Sequence, residues 1–214
     1  DEDDGGVMSD QQVRDEALTL FIAGHETTAN ALIFTWYLLS QNPEKEARLQ
    51  DELNEILNGR TPSMKDVPNL KYTESIIAES MRMYPPAWAM GRLTLEEHEF
   101  AGFSVPEKSL ILISPFVIQR DKRFWDQPDK FQPERWQEKS VREAGQEFIF
   151  VPFSRGVRSC IGESFAWTEL ILVVATLAQD WKLRVIPGQK FGLSPLMTLR
   201  TKYGMKMKAE SRNA

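Results

Sequence analysis

A short stretch around the only cysteine of the chain holds the residue types best suited to chemistry. Cys160 lies between Arg158 and Gly162, and an apolar, helix-like run over residues 161–177 follows it. A thiol at the N-terminal end of a helix has its anion favoured by the helix dipole and by free backbone amides, and nearby arginines act in the same direction. Gly156 and Gly162 have no side chain, so the backbone there can turn tightly or lie against a flat ligand. The sequence therefore indicates a thiolate that is either a nucleophile or a metal ligand.

Position alone would favour an ordinary buried Cys160, because a free cysteine usually behaves as a small hydrophobic side chain. The wider spacing, Phe153-x-x-Gly156-x-Arg158-x-Cys160-x-Gly162, argues against that interpretation. This string resembles the haem-ligand signature of cytochromes P450, and every fixed position is filled. The resemblance implies that Cys160 is the axial ligand of the haem iron, that Phe153 packs near the sulfur and that Arg158 meets a haem propionate.

A second group of polar residues interrupts an apolar helical stretch early in the chain. Residues 23–28 place a glycine, an acid and two hydroxyls among apolar neighbours. From the residues alone, Thr27 could bond back to the preceding turn, and Glu26 could be a buried acid satisfied by a partner. The run resembles the distal-helix motif of P450s. That resemblance implies that Gly24 leaves room for oxygen above the iron, and that Glu26 and Thr27 help to deliver protons to it.

A third motif joins two oppositely charged residues on one helix face. Glu79 and Arg82 are three residues apart, and an isolated pair of this kind is usually a surface ion pair worth at most about 1 kcal/mol. Here the pair precedes Pro85-Pro86 and stands between the other two motifs, in the order that P450s show. It resembles their Glu-x-x-Arg pair. The resemblance implies that Arg135, in the segment 133–136, joins the pair and that the three residues support the haem seat.

Other positions extend the resemblance. Arg92 matches the place where many P450s have an arginine that contacts a propionate, and a surface arginine is the alternative there. Residues 119–121 read Gln-Arg-Asp where P450s often show His-Arg-Asp, a mild departure. Segments 83–88 and 114–120 most resemble soluble bacterial P450s of the carotenoid or fatty-acid hydroxylase type. That likeness implies a long apolar substrate without naming one.

The elements that must position these motifs are mostly helical. Ser9 and Gln12 form a capping-box pattern, which predicts a helix from there to about Ser40. Residues 18–39 are apolar almost all round, so we expect a central helix buried in a globular core. A membrane-spanning interpretation does not fit, because polar residues interrupt the stretch near its middle.

Two further helices should follow. Asn42 is placed to cap the next helix, with Pro43 in its first turn and Asn58-Gly59 at its end. A third helix is expected from about Leu70 to Tyr84, where two prolines stop it.

Short strands are predicted after the third helix. The segments 92–99, 103–106 and 109–113 are rich in β-branched and aromatic residues, and 181–186 with 203–207 should form a terminal strand pair. The expected fold class is mainly α with small β-sheets. Together with the resemblance, this predicts one domain over residues 1–214 that corresponds to the C-terminal part of the P450 fold, with the N-terminal half absent.

Composition limits the remaining options. The chain has 214 residues, of which 42% are hydrophobic and 27% charged, enough for a substantial core. A net charge of −5 argues against general nucleic-acid binding. One cysteine excludes an internal disulfide and fits a reducing compartment. No secretory signal is visible, no membrane segment is expected in this chain, and the resemblance to soluble bacterial members implies a cytoplasmic location.

The leading hypothesis is a haem-thiolate monooxygenase with haem b as its cofactor and an apolar organic molecule as its substrate. Electrons would come from a ferredoxin, a flavodoxin or a reductase, because no flavin or nicotinamide motif is present, and Arg155 and Arg158 could help to dock an acidic donor. The alternative is a truncated fragment without independent catalysis, which acts as a haem-binding remnant or an assembly partner. A thiol-nucleophile enzyme is disfavoured, because neither histidine stands in a recognisable base motif.

Overall fold

The structure is a computed structural model that describes residues 6–212. Its α-helices are α1 (Asp10–Gln41), α2 (Pro43–Ile56), α3 (Lys71–Met83), α4 (Pro115–Ile118), α5 (Arg135–Glu138), α6 (Val141–Gln146) and α7 (Glu163–Asp180). Its strands are β1 (Met90–Leu93), β2 (His98–Phe100), β3 (Phe103–Val105), β4 (Leu110–Ile113), β5 (Trp181–Val185), β6 (Leu193–Pro195), β7 (Leu199–Thr201) and β8 (Met207–Ser211). Short 3-10 turns lie at Val67–Asn69 and Gly156–Arg158. The predicted fold class, mainly α with small sheets, is confirmed.

The ends of α1 depend on side chains that bond to the backbone. The capping box is present as predicted, since the Ser9 hydroxyl accepts a hydrogen bond from the Gln12 amide and the Gln12 side chain accepts one from the Ser9 amide. Asn42, however, does not cap α2. Its side-chain amide donates to the Leu38 carbonyl at 2.7 Å and so closes α1, while Pro43 begins α2 without a side-chain cap.

The core lies where the second half of α1 packs against α2, α3 and α7. Phe34 and Leu39 of α1, Ile77 of α3 and Val174 of α7 are all at most 1% exposed. Burial of one such side chain stabilises the fold by about 1.5–3 kcal/mol. This packing holds the helices that carry the three motifs in one framework.

The expected burial of residues 18–39 is wrong for the first part of α1. Leu18, Leu20, Phe21 and Ile22 are between 47% and 67% exposed. The helix extends beyond its neighbours in the described chain, and all its buried residues lie from Thr28 onward. Across residues 6–212, no helix is both long enough and apolar enough to span a membrane.

Within residues 6–212, four two-stranded antiparallel sheets complete the fold: β1 with β4, β2 with β3, β5 with β8, and β6 with β7. The strands predicted over 103–106 and 109–113 are confirmed to within one residue. The single strand predicted over 92–99 is wrong, because a bend at residues 95–96 separates β1 from β2 there. The predicted terminal pair is correct for β5, but its partner runs from Met207 to Ser211 instead of over 203–207. Residues 202–203 form a turn and Gly204 after it has φ +73°, and so short an alternation does not fix a register by itself.

Candidate functional site

The loop that carries Cys160 begins at a tight reversal after α6. The backbone amides of Ile149 and Phe150 both donate to the Ala144 carbonyl at 3.2 Å, and Phe148 between them and the helix has φ +58°. Ile149 and Phe150 are buried, at 6% and 2% exposure. The loop therefore begins at two buried apolar residues that fix its starting point.

The turn that follows closes on itself beneath the thiol. The Cys160 amide donates to the Phe153 carbonyl at 2.9 Å, so this hydrogen bond closes the loop formed by residues 154–159. Ser154 and Gly156 have φ +63° and +74°, a left-handed conformation that favours glycine. The Phe153 ring packs against Trp167 of α7, with ring centroids 6.0 Å apart.

Cys160 itself is exposed, so the structure contradicts the interpretation of a small buried hydrophobic residue. The helix predicted to begin near residue 161 begins at Glu163, with Gly162 as its N-cap. A methyl group added at Gly162 would lie 3.8 Å from the Cys160 sulfur. The thiol therefore stands just before the positive end of α7, on an open face of the loop.

The two arginines assigned to propionates differ in their surroundings. Arg158 follows Gly156 in the 3-10 turn and is exposed. Arg92 lies on β1, is also exposed, and donates to the neighbouring Gly91 carbonyl at 2.8 Å. Both guanidinium groups are thus accessible cations.

On α1, the polar residues of the distal run have definite partners. The Thr27 hydroxyl donates to the Ala23 carbonyl at 2.6 Å, which is the back-bonded arrangement that the residues alone allow. At Gly24, an added methyl group would meet no atom within 4 Å. The helix therefore offers a free surface at the glycine and a fixed hydroxyl oxygen one turn away.

Glu26 is held by the β6–β7 hairpin, which sequence reasoning missed. The Arg200 Nε donates to Glu26 Oε1 at 2.5 Å, and the Thr198 hydroxyl donates to the same oxygen. Asn30, one turn along α1, donates to the Thr198 hydroxyl at 3.3 Å. The hydrogen bond from Thr198, followed by that from Arg200, lowers the pKa of the Glu26 carboxyl below its ordinary value.

The third motif forms a closed cluster in the interior. The Arg82 guanidinium donates to both Glu79 carboxylate oxygens at 2.9 Å, and both side chains are fully buried. Arg135 donates to Glu79 Oε1 at 3.0 Å, and the Trp136 ring nitrogen donates to Oε2 at 3.0 Å. The structure brings the predicted trio of Glu79, Arg82 and Arg135 together. The alternative interpretation of Glu79 and Arg82 as a surface ion pair is wrong, because both side chains are buried.

Gln119 connects this cluster to the cysteine loop. Its carbonyl oxygen on the backbone accepts from Arg82 at 2.8 Å, and its side-chain amide nitrogen donates to the Met81 carbonyl at 3.0 Å. Its side-chain oxygen accepts from the Val151 amide at 2.9 Å. The residue that departs from the common family pattern therefore bridges α3 and the segment leading to Phe153.

The site has two walls, one on α1 and one at the start of α7, and these helices pack against each other. A model of the family described as Cytochrome P450 matches residues 1–208. The chain belongs to the cytochrome P450 family. The resemblance read from the motifs is thereby confirmed, and membership implies a haem cofactor for the family domain.

Curated P450 relatives match almost the whole chain. Cyclooctatin synthase of Streptomyces melanosporofaciens is 44% identical over 93% of this chain and 43% of the relative. Pentalenene oxygenase of Streptomyces avermitilis is 39% identical over 87% of this chain and 41% of the relative. Carotene epsilon-monooxygenase of Arabidopsis thaliana is 35% identical over 96% and 39%, respectively. The chain thus spans about two fifths of the length of these relatives.

The residues present fit the haem group of the P450 family. Haem bound through a cysteine needs an accessible sulfur donor, apolar contacts for its ring and cations for its propionates. Cys160 supplies an exposed sulfur, and its loop neighbours Val157 and Ile161 are apolar and at least 90% exposed. Arg92 and Arg158 supply accessible cations.

Proposed function

We propose that the protein to which these residues belong is a haem-thiolate monooxygenase that inserts one oxygen atom from O2 into an apolar organic substrate. The observation that carries the proposal is the exposed thiol of Cys160, held in a loop that closes on Phe153. The names of two relatives, cyclooctat-9-en-7-ol 5-monooxygenase and pentalenene oxygenase, support the reaction class.

The residues around Cys160 would bind the haem and orient it. Cys160 would be the thiolate ligand of the iron, and the hydrogen bond from its backbone amide to the Phe153 carbonyl holds its backbone in the loop. Haem b, when bound, supplies the oxygen chemistry, and a thiolate ligand pushes electron density toward O–O cleavage. Gly156 allows the turn, and Gly162 leaves the side of the sulfur open. Arg158 and Arg92 would bind the propionates.

On the α1 side, the protein manages space and protons. Gly24 leaves room for a small ligand, because no side chain fills the surface above it. The hydroxyl proton of Thr27 is committed to the Ala23 carbonyl, so its oxygen is oriented as a hydrogen-bond acceptor. Glu26 is partly exposed, so its carboxyl can exchange protons with water while Arg200 holds it in place, and its lowered pKa favours the ionised form.

Glu79, Arg82 and Arg135 have a supporting role in this proposal. Their buried cluster is connected through Gln119 to the segment before Phe153. A fully satisfied buried cluster fixes its surroundings, and removal of one member strands the others. The trio thus holds the haem seat without touching the substrate.

The substrate, the electron donor and the setting are finer parts of the proposal. An apolar substrate agrees with the exposed apolar residues of α1 and of the β6–β7 turn, where Leu196 and Met197 are 62% and 86% exposed. We propose a ferredoxin, a flavodoxin or a reductase as the donor. That residues 1–214 form a single C-terminal portion of the family domain, and that the protein is cytoplasmic, stay predictions from the resemblance.

An oxygen-labelling experiment tests the reaction class. The haem-loaded full-length protein is supplied with a reductase, a ferredoxin and a panel of apolar substrates under oxygen gas enriched in the heavy isotope. We expect one labelled oxygen atom per product molecule and none in a Cys160→Ser control. Products whose oxygen comes only from water would contradict the proposal.

The fragment interpretation stays as a second candidate, because Leu18, Leu20, Phe21 and Ile22, in the first half of α1, are exposed. In that case the residues would bind haem weakly or serve as an assembly partner. Titration of residues 1–214 alone with haem separates the two: saturable binding at one haem per chain favours an autonomous site, and unsaturable binding favours the fragment.

A further inference from the structure

One arginine of the cysteine loop makes a contact that the P450 motif does not require. The Arg155 side chain folds back across the last turn of α6 and lies directly over Gly145. A methyl group added at Gly145 would lie 1.8 Å from Arg155 Nη2 and 2.8 Å from Cζ. The guanidinium therefore occupies space that exists only because residue 145 has no side chain.

The backbone around Arg155 explains why such a contact is needed. Arg155 is extended, at φ −152° and ψ 165°, and it stands between Ser154 and Gly156, which both have positive φ. A non-glycine residue in the left-handed region persists only where its surroundings hold it. The turn from Ser154 to Gly156 is therefore a place where side-chain contacts decide the conformation.

The surroundings of Arg155 connect three elements. Together with Val141 of α6, Phe153 of the loop and Glu163 of α7, it lines a small cavity beneath the turn. Gly145 is buried, and the Arg155 guanidinium is the group nearest to its missing side chain. The side chain thus spans from the turn to the helix and closes one side of this cavity.

We propose that Arg155 is a positioning residue for Cys160: its guanidinium, seated on Gly145, holds the turn against α6 and so fixes the direction of the thiol. The turn and Cys160 move together, because the Cys160 amide is bonded to the Phe153 carbonyl across the loop. This inference rests on the proposed role of Cys160 as the haem ligand. It assigns Arg155 a task other than docking an acidic donor.

A double-mutant cycle tests the contact in the haem-loaded full-length protein. The four proteins are the wild type, Gly145→Ala, Arg155→Ala and the double variant. The readout is the ratio of the red-shifted to the unshifted Soret band in the reduced, carbon-monoxide-bound state, which reports the thiolate ligand. Arg142→Ala, at an exposed arginine on the same helix, is the matched control.

We expect each single variant to lower this ratio by about threefold or more, since contacting residues are energetically coupled. The double variant should be no worse than Arg155→Ala, because the three atoms nearest to an alanine methyl at 145 all belong to the Arg155 guanidinium, and alanine suits a helix better than glycine. Arg142→Ala should leave the ratio unchanged, and Arg155→Lys should restore part of it. Additive effects of the single variants, or a ratio unchanged by Arg155→Ala, would overturn the proposal.

The failure of the proposed function gives a different result. If the wild type shows no red-shifted band, Cys160 is not a thiolate ligand and the function fails. The thermal unfolding midpoints of the same four proteins then still test the contact. A midpoint lowered by Gly145→Ala in the wild type but unchanged or raised in the Arg155→Ala background supports it, and an equal effect in both backgrounds overturns it.

Discussion

The carboxylate of Glu26 on α1 and the guanidinium of Arg200 on β7 form an ion pair, with 2.5 Å between Oε1 and Nε. The same carboxylate oxygen accepts a hydrogen bond from the Thr198 hydroxyl. The acid of the distal motif is therefore tied to the β6–β7 hairpin, 174 residues away along the chain. The hairpin therefore influences the ionisation of Glu26.

Replacement of Arg200 by alanine should raise the pKa of Glu26 toward its ordinary value of 4.5, because Arg200 is one of the two main causes that lower it. The depressed pKa means that the stabilising contribution of Glu26 is present above pH 4.5 and is lost as the pH falls through the lower folded value. Carbon-13 NMR titration of the labelled carboxyl measures both pKa values. Arg200→Lys should keep most of the shift. An unchanged Glu26 pKa in Arg200→Ala would show that the ion pair does not form.

The buried cluster predicts a large loss of stability. Glu79→Gln should lower the free energy of unfolding by about 3–5 kcal/mol, because it leaves the Arg82 charge buried without its partner. The exposed pair Lys139–Glu147 is the matched control, and Lys139→Ala there should cost at most about 1 kcal/mol. Denaturant unfolding measures both. Equal losses for the two variants would contradict the description of a buried cluster.

Gln119 should be sensitive although it carries no charge. Gln119→Leu removes the acceptor of the Val151 amide and the donor to the Met81 carbonyl, and a buried polar group left without a partner costs about 1–3 kcal/mol. Gln146→Leu, at an exposed glutamine of α6, should stay within about 0.5 kcal/mol of the wild type. A Gln119→Leu protein as stable as its Gln146→Leu counterpart would mean that the bridge contributes nothing.

Gly24 separates stability from function. Gly24→Ala should stabilise the chain by about 0.5–1 kcal/mol, because alanine favours a helix and the added methyl meets no atom within 4 Å. In the haem-loaded protein, the same methyl should weaken carbon monoxide binding, since it enters the space above the proposed iron site. Unfolding curves and carbon monoxide titration measure the two effects. Unchanged carbon monoxide affinity would place the ligand space elsewhere.

The parts of the site that lie close together in sequence were predictable. The cysteine string, the capping box of Ser9 and the pair Glu79–Arg82 each depend on residues at short, fixed spacings, so the sequence alone indicates them. The third member, Arg135, came from the family resemblance, and the structure places it on Glu79.

The parts that sequence reasoning missed depend on contacts between distant segments. Arg200 lies on a three-residue strand, too short for its alternation to indicate a partner, and Thr198 lies in the turn just before that strand. The Arg155–Gly145 contact depends on a missing side chain, which leaves no signal in a pattern. The exposed first half of α1 was also missed, because an apolar run shows that a helix can be buried and not which neighbours cover it.

The central claim is that Cys160 is the thiolate ligand of a haem. It is tested most directly by the absorption spectrum of the reduced, carbon-monoxide-bound protein after haem reconstitution, with Cys160→Ser measured beside the wild type. The account predicts a strongly red-shifted Soret band in the wild type and its loss in Cys160→Ser. An unshifted band in the wild type, or a red-shifted band that survives the substitution, would contradict it.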